Sequence, residues 1–340
     1  MNCNSIVIVG GEGGTNIGAV FKQIALRLKI ETILLPSVEA YQTWKPIEQI
    51  NWYLNGRYPT KLNSFSQRVI DACVNLAPEY LLTTGIAPVN IQSLQAIDRM
   101  GIVKLNFLTD DPWNSAHYPP WFFKALPHYD IVFCPRRAAI DDLLNLGCRR
   151  VEYLPFGYDP DLFYPESLDP LASTHPAPDI MFAGGADRDR VPYISRLIEA
   201  GFNVDLYGSY WERYPETKHI TKGQADVPTL RRAIQTAKIA LCVVRHANRD
   251  GHCMRTFEVP AIGTCMLTED TAEHREIFGS EGEAVVYFKD LAEMVQKTRW
   301  LLDHEDERQR LAQNAHLLVG QGQHTYQDRL NTMISVANQL

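Results

Sequence analysis

No apolar stretch in the 340-residue sequence approaches the ~18 residues that span a bilayer. No basic region precedes the short apolar run of MNCNSIVIVGGEGG, so the beginning reads as a first β-strand and not as a secretory signal. No C-x-x-C pair occurs. The seven cysteines are scattered and odd in number, which fits reduced thiols and a cytoplasmic setting. His246, His252 and Cys253 lie near one another but match no zinc framework, and no metal site is expected. There is no Gly-x-Ser-x-Gly nucleophile elbow and no Gly-Lys-Ser/Thr phosphate loop. Excess basic charge is also lacking. The net charge of −7 argues against nucleic acid as the main partner, because phosphate backbones demand a basic surface. What remains is ordinary for a globular protein: 45% hydrophobic and 21% charged residues, in a chain long enough for two cores.

Short apolar runs alternate with helical patterns through the first half. SIVIVG (5–10), ETILLP (31–36), EYLLTTG (79–85), IVKLNFLTDD (102–111), DIVFCP (130–135) and VEYLPFG read as strands. Between them, 17–30 and 64–76, VNIQSLQAIDRMG and AAIDDLLNLG read as helices. Residues 40–60, rich in Trp, Tyr, Pro and Gly, suggest an irregular lid or insertion. PESLDPLASTHPAP (165–178) holds four prolines and no apolar periodicity, which marks a domain boundary. The alternation then restarts with DIMFAGG, FNVDLYG, KIALCVV, TCMLT and EAVVYF, and from Leu291 the chain turns helical. The expected fold class is α/β: two Rossmann-like domains facing each other across a cleft, with a helical C-terminal tail. The expected boundaries are 1–165, a linker at 166–178, 179–320, and a final helix at 321–340 that crosses back to the first domain.

Four segments carry candidate chemistry. The loop Gly10-Gly11-Glu12-Gly13-Gly14-Thr15-Asn16 opens a helix after the first strand. It lacks the G-x-G-x-x-G spacing of dinucleotide sites, so Gly11, Gly13, Gly14, Thr15 and Asn16 read as a loop that lets a ligand approach the backbone, or as a tight turn. Asp110 and Asp111 follow a strand, where one of them can serve as a catalytic base or as a turn carboxylate. Gly184 and Gly185 repeat the small-residue loop, with Arg190 a candidate to meet a diphosphate or, like Arg188, a solvated surface charge, and Tyr207 and Gly208 end a further strand. The last segment runs from Asp250 to Gly263: strand, loop, helix start, strand. A helix start favours phosphate, Arg255 can clamp it, and Asp250 and Glu258 suit sugar or ribose hydroxyls.

Taken in order, DIMFAGGADRDR, YGSYW, RTFEVPAIG, the acidic loop EDTAEHREIFGSEGEAVVYF and His324-Thr325-Tyr326-x-x-Arg329 resemble the GT-B glycosyltransferases, and within them the CgeB/spore-maturation-like branch. The resemblance is strongest over about 179–330. It implies a nucleoside-diphosphate sugar as co-substrate, with UDP the expected nucleotide, no metal and no other cofactor. The donor would sit mainly in the second domain, near Gly184, Gly185, Arg190, Tyr207, Gly208, Asp250, Arg255 and Glu258, and an acceptor in the first. Glu258 matches the second acid of an E-x7-E pair, the one that bonds ribose hydroxyls. Asp250 replaces the first, which leaves sugar identity and stereochemical outcome open. The HTYxxR element reads as structural. Trp44, Trp52, Tyr53, Tyr58, Trp113 and Trp121 lie in the loops expected to build the acceptor site and favour a carbohydrate or aromatic acceptor. Two other readings stay open: a sugar-nucleotide epimerase of the same fold, and a non-catalytic carbohydrate-binding or spore-coat-like relative.

Overall fold

The computed structural model describes residues 3–167 and 177–340. These divide into two compact units. Unit 1 comprises 1–155, 247–250 and 326–340, and unit 2 comprises 156–246 and 251–325.

Unit 1 is built on a parallel sheet of β1 (Ser5–Gly10), β2 (Glu31–Pro36), β3 (Tyr80–Thr84), β4 (Val103–Phe107), β5 (Ile131–Cys134) and β6 (Val151–Tyr153), in the order β2-β1-β3-β4-β5-β6. The central strands are continuous apolar runs because helices cover both faces. Ile6, Val7, Ile8 and Val9 are fully buried. In register, Val7 sits beside Ile33 on one side and Leu81 on the other. The helix Leu62–Leu76 turns Phe65, Val69 and Cys73 inward at i, i+4 and i+8. The helix Ile17–Arg27 buries Val20, Phe21 and Ile24. The helix Tyr326–Ala337 belongs to this unit, with Leu330, Met333 and Ile334 buried and the Tyr326 ring edge-on to Phe21 at 5.8 Å.

Unit 2 repeats the plan with β7 (Ile180–Ala183), β8 (Val204–Tyr207), β9 (Ile239–Cys242), β10 (Met266–Glu269) and β11 (Val286–Phe288), in the order β11-β10-β9-β7-β8 and all parallel. The order of each sheet reverses once, between β1 and β3 in unit 1 and between β7 and β9 in unit 2. Ligands of open α/β sheets bind outside the carboxyl ends of the strands at such a reversal. The loops that matter are therefore those after β1, β3, β7 and β9.

The fold class is thus the expected one: two Rossmann-like α/β units and a helical tail. Three details differ from the sequence reading. Residues 40–60 are not wholly irregular, because Lys45–Tyr53 forms a helix with Pro46 in its first turn, where a missing N–H costs nothing. The fourth strand stops at Phe107, so Asp110 and Asp111 stand in the following loop. The units divide at Pro155–Phe156 and not at 165. Phe156 N–H donates to His252 Nε2 (3.1 Å), Tyr158 N–H to the His324 carbonyl (3.2 Å), and Arg231 to the Leu162 carbonyl (2.7 Å), which ties this stretch to unit 2. Of the expected linker at 166–178, residues 168–176 lie outside the described residues.

Candidate functional site

In unit 2 the loop after β9 leads into the helix Arg255–Ile262, which places Glu258 in its first turn. The Arg255 guanidinium lies against the Glu258 carboxylate, three residues on. Glu258 is 1% exposed, and its neighbours Phe257 and Val259 are buried as well, so the helix start is fixed by packing on both sides of the carboxylate. The helix ends at Gly263, whose φ of 86° closes it in the left-handed conformation and explains a glycine five residues after the acid.

The loop after β7 adds cations. Arg190 is nearly buried and donates from Nη2 to the Val243 carbonyl (3.0 Å) and from Nη1 to the Gly185 carbonyl (3.4 Å). Asp187 Oδ1 accepts from the backbone N–H of Asp189 and Arg190 and so closes the turn that precedes the helix Val191–Glu199. Its Oδ2 stands 3.9 Å from Arg190 Nε and 3.4 Å from Arg245 Nε. Those three atoms are buried without a hydrogen bond among the described residues. Two guanidinium groups thus stand against one carboxylate beside Gly184 and Gly185. Gly208, with φ of 136°, brings the end of β8 onto this loop. A Cβ there would stand 2.0 Å from the Gly184 carbonyl oxygen. Trp211 Nε1 donates to the same oxygen (2.8 Å). Tyr207 lies half-buried under Lys222, and burial raises its pKa. A pocket of about 300 Å³, lined by Gly208, Ser209, Tyr210, Glu212, Gly223 and Gln224, opens at this strand end.

Two further networks flank the site. Glu269, at the end of β10, accepts from Val244 N–H (2.6 Å), Tyr193 Oη–H (3.0 Å) and His246 Nε2 (2.8 Å). The hydrogen bond to this carboxylate raises the pKa of half-exposed His246. Behind the helix start, Cys242 and Cys253 stand with sulfurs 3.6 Å apart, and Thr256 Oγ1 meets His274 Nε2 at 3.0 Å. Cys253 is held well below the usual thiol range by its hydrogen bond from Cys242 and by the charges of Arg190 and Arg255. Burial lowers the pKa of His274, which keeps it neutral. Among the described residues no three His, Cys, Asp or Glu side chains are grouped to hold a metal ion.

In unit 1 the glycine loop follows β1. A Cβ on Gly10 would collide with Thr84 Oγ1 at 2.3 Å and press on Gly18, so Gly10 leaves the room that the Thr84 hydroxyl and the start of the next helix occupy. Gly13 and Gly14 both have positive φ, and Asn16 Nδ2 donates to the Glu12 and Gly13 carbonyls, which shapes the turn before the helix Ile17–Arg27. Thr15 and Gly11 complete this exposed turn or lie at its edge. The adjacent aspartates divide sharply. Asp110 is 40% exposed, with His117 Nε2 at 4.0 Å and Thr109 Oγ1 at 3.3 Å. Asp111 is 1% exposed, accepts from Arg249 Nε (2.6 Å) and Nη2 (3.2 Å), and caps the Trp113 N–H. Its charge is spent on Arg249, which also reaches Asp142. Asp250 accepts from Arg136 Nε at 2.5 Å, and Arg136 also donates to the Leu108 and Thr109 carbonyls. Of the residues expected at the donor, Asp250 therefore lies in unit 1, whereas Gly184, Gly185, Arg190, Tyr207, Gly208, Arg255 and Glu258 share unit 2.

Residues 190–335 match a family profile described as Glycosyl transferase-like. The match lies wholly in the second half of the chain. No match was found among curated proteins. Solved structures similar over nearly the whole chain include a sucrose-phosphate synthase from Thermosynechococcus elongatus, with TM-score 0.70, 14% identity, and 99% of this chain and 98% of that one covered. Anabaena HepE in complex with UDP-glucose has TM-score 0.66 and 10% identity, over 99% of this chain and 100% of that one. A putative UDP-N-acetylglucosamine 2-epimerase from Listeria monocytogenes has TM-score 0.54 and 13% identity, over 93% and 94%. The fold is GT-B, and the chain is an enzyme of the glycosyltransferase class. The Glu258–Arg255 pair, Arg190 and Arg245 all fall inside the matched range. Arg245 and Glu269 were missed in the sequence, and His246 was weighed there only as a metal ligand, although Arg245 and His246 directly follow the apolar run KIALCVV, where a strand end should have drawn attention to them.

Proposed function

We propose that the protein transfers a sugar from a UDP-sugar to a hydroxyl acceptor, with the donor in unit 2 and the acceptor in unit 1. The observation that supports this most is the Arg255–Glu258 pair in the first turn of a helix at the β7–β9 reversal, within the glycosyl transferase-like range. Glu258 would accept from the ribose hydroxyls. Arg190, Arg245 and Arg255, with the helix start, would offset the diphosphate charge, which grows as the sugar C1–O bond breaks. The unmet Nε–H groups of Arg190 and Arg245 are donors that a phosphate oxygen would satisfy. The acceptor oxygen then bonds to C1, UDP leaves with the bonding pair, and the acceptor proton passes to a base. Asp110 is the candidate for that base, or for the group that orients the acceptor hydroxyl, because Asp111 is already committed to Arg249.

We further assign the chain to the CgeB/spore-maturation-like branch, on the RTFEVPAIG and HTYxxR elements, and to the cytoplasm, on its unpaired cysteines. The test is thermal melting with UDP, UDP-sugars, GDP and dTDP. A ligand bound only by the folded state raises the melting temperature once its concentration exceeds its Kd. No shift with any nucleotide at millimolar concentration would sink the donor site. A second reading rests on the likeness to a putative UDP-N-acetylglucosamine 2-epimerase. Incubation with UDP-N-acetylglucosamine and no acceptor decides it, because only an epimerase returns an epimerised nucleotide sugar.

A further inference from the structure

The helix Lys45–Tyr53 in unit 1 has no buried residue. Its apolar side chains nonetheless follow a helical stripe: Trp44, Ile47, Ile50 and Leu54 fall at spacings of three, three and four. Trp44 is 72% and Leu54 78% exposed, and Ile47, Ile50 and Tyr53 are exposed as well. Around the rest of the cylinder, Lys45, Glu48, Gln49 and Trp52 line an open cavity of about 300 Å³ together with Tyr53. The helix is therefore amphipathic, with its apolar side facing water. Contiguous exposed apolar surface of this kind marks an interaction site.

We infer that this helix docks the enzyme on an anionic lipid bilayer, lying in the headgroup plane with Ile47, Ile50 and Leu54 inserted. Three observations select a bilayer over a protein partner. First, no residue of the helix is buried, so its apolar stripe forms a ridge that headgroups can part around, and the hollow beside it is lined by Lys45, Glu48, Gln49, Trp52 and Tyr53 and not by Ile47, Ile50 or Leu54. Second, the segment 41–61 carries Trp44, Trp52, Tyr53 and Tyr58, the amphipathic aromatics that favour the membrane–water boundary. Third, the same segment holds Lys45, Arg57 and Lys61 against a single acid, Glu48, in a chain whose net charge is −7. The local positive charge complements an anionic leaflet, and the rest of the protein is repelled from it. Arg57 is fixed at the base of the segment by the Ser115 and Ala116 carbonyls, with its guanidinium near the Trp52 ring. Among the described residues no helix is long and apolar enough to cross a membrane, so attachment would be peripheral. This inference is independent of the transferase reading, because UDP binding is measured separately.

The experiment floats the full chain with vesicles of phosphatidylcholine alone or mixed with phosphatidylglycerol, at low and high salt. The comparison is with the triple variant Ile47→Ser, Ile50→Ser, Leu54→Ser. The native protein should float with the anionic vesicles, less so without phosphatidylglycerol or at high salt. The variant should lose at least about tenfold in partitioning while its melting temperature and UDP affinity hold. Brominated lipid supplies a second readout on the unaltered surface: it should quench the native protein's tryptophan fluorescence, and Trp44→Phe should reduce that quenching. Failure of the native protein to float on anionic vesicles, or equal flotation by the triple variant, overturns the inference. So does concentration-dependent self-association that the triple variant abolishes, since the ridge would then be a protein interface.

Discussion

Arg136 donates from Nε to the carboxylate of Asp250 at 2.5 Å, and the two side chains are 2% and 6% exposed. An acid in the first position of an E-x7-E-like pair would be expected beside a donor sugar, yet here its charge is met by an arginine 114 residues earlier in the chain. Removing one partner of a buried pair leaves the other uncompensated. Asp250→Ala should therefore cost about 3 kcal/mol of stability, read by denaturant melts. UDP affinity should change less than about twofold, well below the factor of ten that 1.4 kcal/mol of lost contact would give. A large loss of UDP affinity at unchanged stability would show that Asp250 contacts the donor instead.

Glu258→Gln keeps the shape of the carboxylate and removes its charge. If Glu258 accepts from the ribose hydroxyls, the Kd for UDP should rise roughly tenfold or more, since hydrogen bonds to charged groups are worth about 1.5–3 kcal/mol. Uridine, which keeps the ribose, should lose affinity by a similar factor, and this separates a ribose contact from a diphosphate contact.

Arg190 and Arg245 share Asp187 but differ in burial. Arg245 keeps 30% of its side chain exposed and its Nε makes no hydrogen bond to Asp187, so Arg245→Ala should lower the melting temperature of the free protein less than Arg190→Ala does. Its UDP affinity should fall and become less dependent on salt. Arg190→Ala removes bonds to the Val243 and Gly185 carbonyls as well, and should lower both stability and affinity.

Two histidines of unit 2 should give opposite pH signatures. Glu269 raises the pKa of His246, so its contribution is fully present below the unfolded value near 6.5 and is lost as pH rises through the folded value. His274 is depressed by burial, so its contribution is present above that value and is lost as the solution is acidified. Relative to native protein, His246→Gln should flatten the decline of stability on the alkaline side of pH 6.5. It should leave the acid limb in place. An unchanged alkaline limb would show that the Glu269 contact does not persist in solution.

The sheet strands were legible because β1, β7 and β9 are short unbroken apolar runs, and only burial on both faces accounts for such runs. The helix Lys45–Tyr53 was hidden because its Trp, Tyr and Pro content resembles a loop, and no buried face imposed a core pattern on it. The glycine loops and the Asp250–Gly263 segment stood out by spacing. No local signal could separate Asp110 from Asp111. They are neighbours in sequence, and what distinguishes them is Arg249, contributed by four residues that the chain returns to unit 1 more than a hundred positions later. The role of Asp250 was hidden for the same reason. Arg245 was within reach, since a cation at the carboxyl end of a central strand is a recognisable sign of an anion site.

Because unit 1 is assembled from three separate stretches of chain, it cannot close during synthesis when its sheet is made. Phe21, which meets Tyr326, and Tyr80, whose hydroxyl bonds Asn338 at 2.6 Å, must wait for residues beyond 325 to leave the ribosome. For most of translation the first half is thus a nascent body with an open apolar seam along the helix Ile17–Arg27, and the second half has the opportunity to fold before the first is finished.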